Sequence, residues 1–337
     1  MLIHVGTALL RLNTFFPTPK LLDFAGFYVG AFALRASVPA YRNVPEFVTM
    51  LEKEQGLSVI PELSGSPPLG LAILKPLTFL SFPQASWVWL AILSALVLTC
   101  TFMLLSIAGE EKRPAKVLGV FLLIMTFGPT FLNLTLGQNA IFLLVAVLLM
   151  GRALRSGGAG REVSALASWL VAFSAKIFPL LWIAPLPLLR RGRLFIIAAA
   201  VLLGTNLIVH AAYPEASGDH WGRFFVQRSS SFVGFKGVED QSLLAAVDRL
   251  SRTQQFDIPG RAVDVMHTIR WSPPHDLPFS AVLAVAFALC AALGVVYLYV
   301  LRRHGKEHPE IMFYLFILFC LILVPHTDRY NHVLVLP

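Results

Sequence analysis

Apolar residues in this chain come as long runs rather than as stripes along helices. Near-continuous hydrophobic segments cover about residues 85–107, 117–135, 139–154, 162–189, 194–212, 278–301 and 311–325, with short polar stretches between them. A helix rises about 1.5 Å per residue, so a run near 20 residues crosses a hydrocarbon core of roughly 30 Å. The pattern predicts an all-α, polytopic transmembrane helical bundle. Some pieces fall short of a span. Met1 to Leu10 is apolar but soon broken by Arg11, Asn13 and Pro17, with no basic leader and no small-residue cleavage site. It reads as a span cut at its start. Leu21 to Arg35 is too short to cross and carries Asp23 near its beginning, while Glu46 to Leu57 is polar and belongs at the surface. The chain stops at Leu336-Pro337 inside a fresh apolar run, and residues 213–277 make one long hydrophilic loop with several aromatics. The expectation is a single integral membrane domain over residues 1–337, truncated at both ends, with 213–277 as an extracytoplasmic loop within it.

Composition removes the soluble alternatives. Of 337 residues, 56% are hydrophobic and 14% charged, with a mean hydropathy of +0.71. An ordinary soluble domain carries about 25% charged residues, so this chain lacks the charge to coat a water-facing surface. A net charge of +8 raises the question of nucleic acid, but the cations sit in short clusters between apolar runs: Lys112, Arg113 and Lys116; Arg152, Arg155 and Arg161; Arg190, Arg191 and Arg193; Arg302, Arg303 and Lys306. Short cytoplasmic loops retain Lys and Arg in this way, so topology accounts for them and no nucleic-acid partner is expected. Cys100, Cys290 and Cys320 all lie inside apolar runs and read as small core residues.

Those clusters also test the topology. With 109–116 in the cytoplasm, Gly137-Gln138-Asn139 lies outside and Arg152 to Arg161 inside again. If 162–189 were one span, Arg190, Arg191 and Arg193 would land outside, against the bias. Ala175-Lys176-Ile177-Phe178-Pro179 interrupts that run, and a proline disfavours helix at the residue before it. The segment is therefore expected to be a hairpin turning near Lys176, with its arginines back inside. Broken helices of this kind are tolerated where they line a water-filled cavity. Asp23, Gln138, Asn139, Lys176, Asp240, Gln241, His326, Asp328, Arg329 and His332 then share the outer side. Polar groups at membrane depth mark functional cavities by default.

Each candidate has a plain reading beside a chemical one. Asp23 either caps the helix beginning at Phe24 or acts as a general base, partial burial raising its pKa from about 3.9 toward a value suited to proton abstraction. Lys176 either snorkels or neutralises a lipid phosphate, a role that Arg329 suits through its forked donors. His326-Thr327-Asp328-Arg329-Tyr330-Asn331-His332 fits no recognised metal-ligand spacing, and the adjacent arginine disfavours a cation. A hydrogen-bonding or phosphate site is favoured there, with neither metal nor cofactor. Gln138 and Asn139 most simply cap or turn the chain between two spans. Asp240-Gln241-Ser242 precedes Leu243, Leu244, Val247 and Leu250, spaced for an amphipathic helix on a membrane surface. No P-loop, G-x-G-x-x-G, H-E-x-x-H or G-x-S-x-G occurs. A transporter or flippase of a lipid-linked sugar would also need a polar cavity, but no internal repeat of broken helices is visible. In a non-catalytic assembly partner, Asp23 would be only a cap.

Six segments in order resemble one family. They are Asp23-Phe24 with Phe27-Tyr28 and Ala33-Leu34; Ser66-Pro67-Pro68 with Lys75-Pro76-Leu77; Gly137-Gln138-Asn139; Ala175 to Pro179 with Leu188-Leu189-Arg190-Arg191; Asp240-Gln241-Ser242-Leu243; and His326 to His332 followed by Val333-Leu334-Val335-Leu336-Pro337. Together they resemble the GT-C glycosyltransferases of family GT87. The family pattern has Tyr at the position of Ser66, Asn at that of Asp240 and a Ser-Trp motif at Thr327-Asp328. The resemblance implies a GT-C bundle that moves a sugar, typically mannose, from a polyprenyl-phosphate donor to a lipid or glycan acceptor outside the cytoplasmic membrane. It implies inversion at the anomeric carbon, with Asp23 as the base. Lys176, Arg329 and His332 would stabilise charge on the leaving phosphate. Gln138, Asn139, Asp240, Gln241, His326 and Asp328 would line the substrate cavity. Membrane lipids would surround a multi-pass protein of the inner membrane whose site faces outward.

Overall fold

The computed structural model describes residues 21–41, 45–57, 66–231, 243–251, 254–259, 266–271 and 277–323. The fold is that of an all-α polytopic membrane protein, with one small β-hairpin added. Its helices are α1 (Leu22–Ala36), α2 (Pro45–Gln55), α3 (Pro68–Leu74), α4 (Phe82–Ile107), α5 (Pro114–Thr126), α6 (Gly128–Leu136), α7 (Ala140–Ser156), α8 (Ala159–Ala175), α9 (Gly192–Ala212), α10 (Pro214–Ser231), α11 (Leu243–Ser251), α12 (Phe279–His304) and α13 (Pro309–Leu323). Two 3₁₀ segments, Lys75–Phe79 and Phe178–Ile183, follow α3 and α8. Among the described residues, α4, α9 and α12 are long and apolar enough to cross a membrane.

The run at 117–135 is not the single straight span expected. It is the pair α5 and α6, bent by 72°. Pro129 cannot donate a backbone hydrogen bond, and its ring would clash with the carbonyl four residues earlier. Phe127 is accordingly extended, and a new helix starts at Gly128.

One short helix forms the centre. At 17 residues, α7 is about 26 Å long at 1.5 Å per residue, marginal for a span, yet Ile141, Leu143, Leu144, Val147, Leu148 and Met150 are all buried. Neighbours rather than lipid surround it. Helix contacts in a membrane depend on close packing and small residues, and Gly151 supplies one: a Cβ there would lie 2.0 Å from Tyr314 Oη of α13.

The hairpin at Lys176 is present, with a 3₁₀ return leg instead of a second α-helix. Arg191, at the far end of that leg, donates to the Leu154 carbonyl of α7 at 3.0 Å and lies 3.7 Å from Glu162 in the first turn of α8. The chain has therefore gone out and come back. The 6 residues of the 3₁₀ segment rise about 12 Å at about 2.0 Å each, roughly half the length of the 17-residue α8, and the turns from Ala184 to Arg190 complete the return. The clusters at 152–161, 190–193 and 302–306 thus meet at one end of the bundle, because α13 packs its first turns beside Gly151. At the other end α4 and α7 begin together: the Trp89 ring stacks on Phe142 at 5.4 Å.

The 213–277 segment is less loop-like than its polarity suggests. It contains α10, α11 and two antiparallel strands, β1 (Gln254–Pro259) and β2 (Met266–Trp271), with Phe256 opposite Ile269. The amphipathic helix expected after Leu243 is α11. Its Val247 is buried in a cluster with Val282 and Ala286 of α12, and Leu250 stays exposed.

Candidate active site

The end of the bundle opposite the arginines is built around one proline. Pro179 has no N–H to return to the carbonyl of Ala175, four residues back, and α8 stops with Lys176 in an extended conformation. The Ala175 carbonyl, left over from the helix ladder, accepts two side-chain bonds instead. Ser66 Oγ donates to it at 3.1 Å and Asn139 Nδ2 at 3.1 Å. Approach is close enough to require glycine at one point: a Cβ on Gly70 of α3 would lie 2.0 Å from the Ser174 carbonyl oxygen. Two distant segments, Ser66–Gly70 and the α6–α7 turn, thus meet on the broken end of α8.

The turn between α6 and α7 adds the fourth contact. Gly137 ends α6 with φ +71°, the left-handed conformation that glycine adopts without penalty. A Cβ there would also stand 2.8 Å from the Cβ atoms of both Leu21 and Phe24, so the turn lies directly against the start of α1. Its carbonyl accepts Trp89 Nε1 at 2.8 Å. Asn133 does the capping that was expected of Gln138 and Asn139. Its Oδ1 accepts the Ala140 N–H at 3.1 Å, and its backbone carbonyl accepts the Gln138 N–H at 2.8 Å. The two following side chains are consequently spared for other partners.

Gln138 Nε2 donates to Asp23 Oδ2. Asp23 does not cap its helix. The helix begins one residue earlier, at Leu22, and the cap position is Leu21. Asp23 lies within the first turn, partly exposed.

A second ring of contacts ties α10 to this end. Tyr41 Oη donates to the Ser66 carbonyl at 2.7 Å, and its ring lies 5.1 Å from that of His220. Burial pushes the Tyr41 phenol well above the ordinary tyrosine range. Lys75 Nζ donates to Tyr213 Oη at 2.9 Å. Both α10 and the residue that enters it are therefore fastened to the polypeptide around Ser66.

Of the residues singled out from sequence, Asp23, Gln138 and Asn139 lie at this junction, and Lys176 is the residue next to the shared carbonyl. Asp240, Gln241, His326, Asp328, Arg329 and His332 lie outside the described residues. The hydroxyl of Ser66, the cap Asn133 and the pair Tyr41 and His220 were not anticipated as parts of the site. Only Ser66 had a local signal, the Pro67-Pro68 that follows it and starts α3. Among the described residues no group of three or more His, Cys, Asp or Glu side chains is gathered.

No curated protein and no solved structure shows significant similarity to the chain. The profile of glycosyltransferase family 87 matches residues 66–325, a stretch that runs from the Ser66 end of the junction through α13. Matched over most of its length, the chain belongs to glycosyltransferase family 87.

Proposed function

We propose that this membrane glycosyltransferase moves mannose from a polyprenyl-phosphate donor to a lipid or glycan acceptor at the outer face of the cytoplasmic membrane, with inversion. Asp23 takes the proton of the acceptor hydroxyl. The oxygen then forms a bond to the anomeric carbon as the bond from that carbon to the phosphate oxygen breaks, and polyprenyl phosphate leaves with the electron pair. Lys176, with Arg329 and His332, offsets the charge gathering on the departing phosphate, an electrostatic role that needs fixed donors. The mechanism calls for no cofactor.

One observation carries this reading. In a family 87 chain, a carboxylate in the first turn of α1 is held by Gln138 where helix ends from four segments converge. A general base needs its carboxylate held in a fixed orientation, and the Gln138 amide holds one of its oxygens.

Membranes containing the protein would be given radiolabelled polyprenyl-phosphate mannose, polyprenyl-phosphate glucose or nucleotide-linked mannose in parallel. The expected result is label reaching a lipid or glycan acceptor from the polyprenyl mannose alone. Transfer only from the nucleotide sugar would overturn the donor assignment. Transfer from the glucose lipid would change the sugar and leave the mechanism.

A further inference from the structure

Two amide oxygens at the α6–α7 turn have nothing to accept among the described residues. Gln138 Oε1 and Asn139 Oδ1 are buried and receive no hydrogen bond among the described residues, in side chains only 6% and 4% exposed. Native proteins rarely leave buried polar atoms unpaired unless a ligand or water meets them. The other half of each carboxamide is already committed, Nε2 of Gln138 to Asp23 and Nδ2 of Asn139 to the Ala175 carbonyl. Neither amide can turn over without breaking that bond, so each presents an oxygen only. Helix capping does not use them either, because Asn133 caps α7. Consecutive in sequence and both at the α6–α7 turn, they form a pair that accepts and cannot donate.

Resting on the reading of Asp23 as base, we propose that Gln138 and Asn139 bind hydroxyl groups flanking the reacting one, so that the acceptor substrate is a sugar or other polyol with hydroxyls on neighbouring carbons. One end of the Gln138 carboxamide holds the carboxylate and the other holds the ligand. A hydroxyl that donates to Oε1 therefore lies one amide group away from Asp23, within reach of a hydroxyl on the adjacent carbon. A simple alcohol would meet Asp23 and leave both oxygens unpaired. An ammonium group would also donate to them, but while protonated it has no lone pair with which to attack the anomeric carbon. Gln138 and Asn139 are positioning residues here, and Asp23 alone takes the proton.

Sites built to hydrogen-bond a substrate hydroxyl reject the analogue lacking it by as much as about 10⁴–10⁵. The test uses the full chain in membranes with radiolabelled polyprenyl-phosphate mannose as donor. The probes are hexyl mannoside, its monodeoxy derivatives, hexanol and hexylamine. Wild type is expected to label hexyl mannoside, to lose about 10²-fold or more in kcat/KM when the hydroxyl beside the reacting one is removed, and to leave hexanol and hexylamine unlabelled. Asn139→Leu and Gln138→Leu should each narrow that ratio to less than about tenfold. Each ratio is taken within one preparation, so a smaller folded fraction cancels. If a leucine variant is inactive, the wild-type panel decides.

Equal use of hexyl mannoside and its deoxy forms by wild type would overturn the proposal. So would a ratio unchanged in both leucine variants, or labelling of hexylamine. Labelling of the membranes' own acceptor but of no hexyl glycoside would overturn it as well and leave the glycosyltransferase reading intact. No labelling of any acceptor would instead remove the reading on which it rests.

Discussion

At one end of the bundle Arg191 grips the Leu154 carbonyl and Glu162, with about a third of its side chain still exposed. At the other end Asp23, Gln138, Asn139, Ser66 and the Ala175 carbonyl are linked pairwise, and among the described residues two buried amide oxygens remain without donors. The same helices, α7 and α8, run between the two places. The basic end meets solvent, and its Arg191 is partnered within the chain; such partly exposed pairs contribute little to stability. The polar end carries unsatisfied buried atoms, a cost of about 1–3 kcal/mol each that folding alone would remove. The difference separates polar residues that finish a helix from polar residues kept for something that is not part of the chain.

Substitutions at each end should separate accordingly. Gly70→Ala is expected to be the most damaging, because its Cβ would stand 2.0 Å from a backbone oxygen, which side-chain motion cannot relieve. We expect a loss of about 3 kcal/mol, the top of the usual overpacking range, seen as a lowered Tm in detergent together with lost sugar transfer. Gly137→Ala comes next. A left-handed backbone costs an L-residue roughly 1–2 kcal/mol, and the contact with Leu21 and Phe24 adds to it, so Gln138 should also shift from Asp23 and transfer should fall with stability. Trp89→Phe keeps the ring stacked on Phe142 but loses the donor to the Gly137 carbonyl, for about 1 kcal/mol. Arg191→Met should cost about 1 kcal/mol or less and leave the transfer rate per folded molecule unchanged. Lys116, exposed and paired with Glu110, should be replaceable by Gln with no measurable change in Tm. A large loss of transfer per folded molecule in Arg191→Met would erase the contrast.

Much of the architecture was legible because hydropathy reports what lies against lipid. The helices at 85–107, 194–212 and 278–301 appear almost where the apolar runs put them. The hairpin at Lys176 followed from charge bias and one proline, and α11 from the spacing of four apolar residues. The bend at Phe127 was missed because an apolar run looks the same whether straight or broken, although Gly128-Pro129 marks the place. The β-hairpin within 213–277 was hidden by its polarity. At the junction, side-chain roles were less legible than proximity. Asp23 looked like a cap because caps are local, and nothing local shows that α1 begins at Leu22. Gln138 and Asn139 also looked like caps, since a sequence does not show that Asn133, from the helix before, has taken that task. The acceptance of two side chains by the Ala175 carbonyl depends on contacts more than 30 residues apart.

The central claim is that chemistry resides at the polar end and that Asp23 performs it. The direct measurement is the rate of label transfer from polyprenyl-phosphate mannose to the membranes' own acceptor, per folded molecule, for wild type, Asp23→Asn and Arg191→Met side by side. Loss of a general base should slow Asp23→Asn by about 10²–10⁴-fold, while Arg191→Met stays at the wild-type rate. Wild-type transfer by Asp23→Asn would contradict the account and return Asp23 to a structural role.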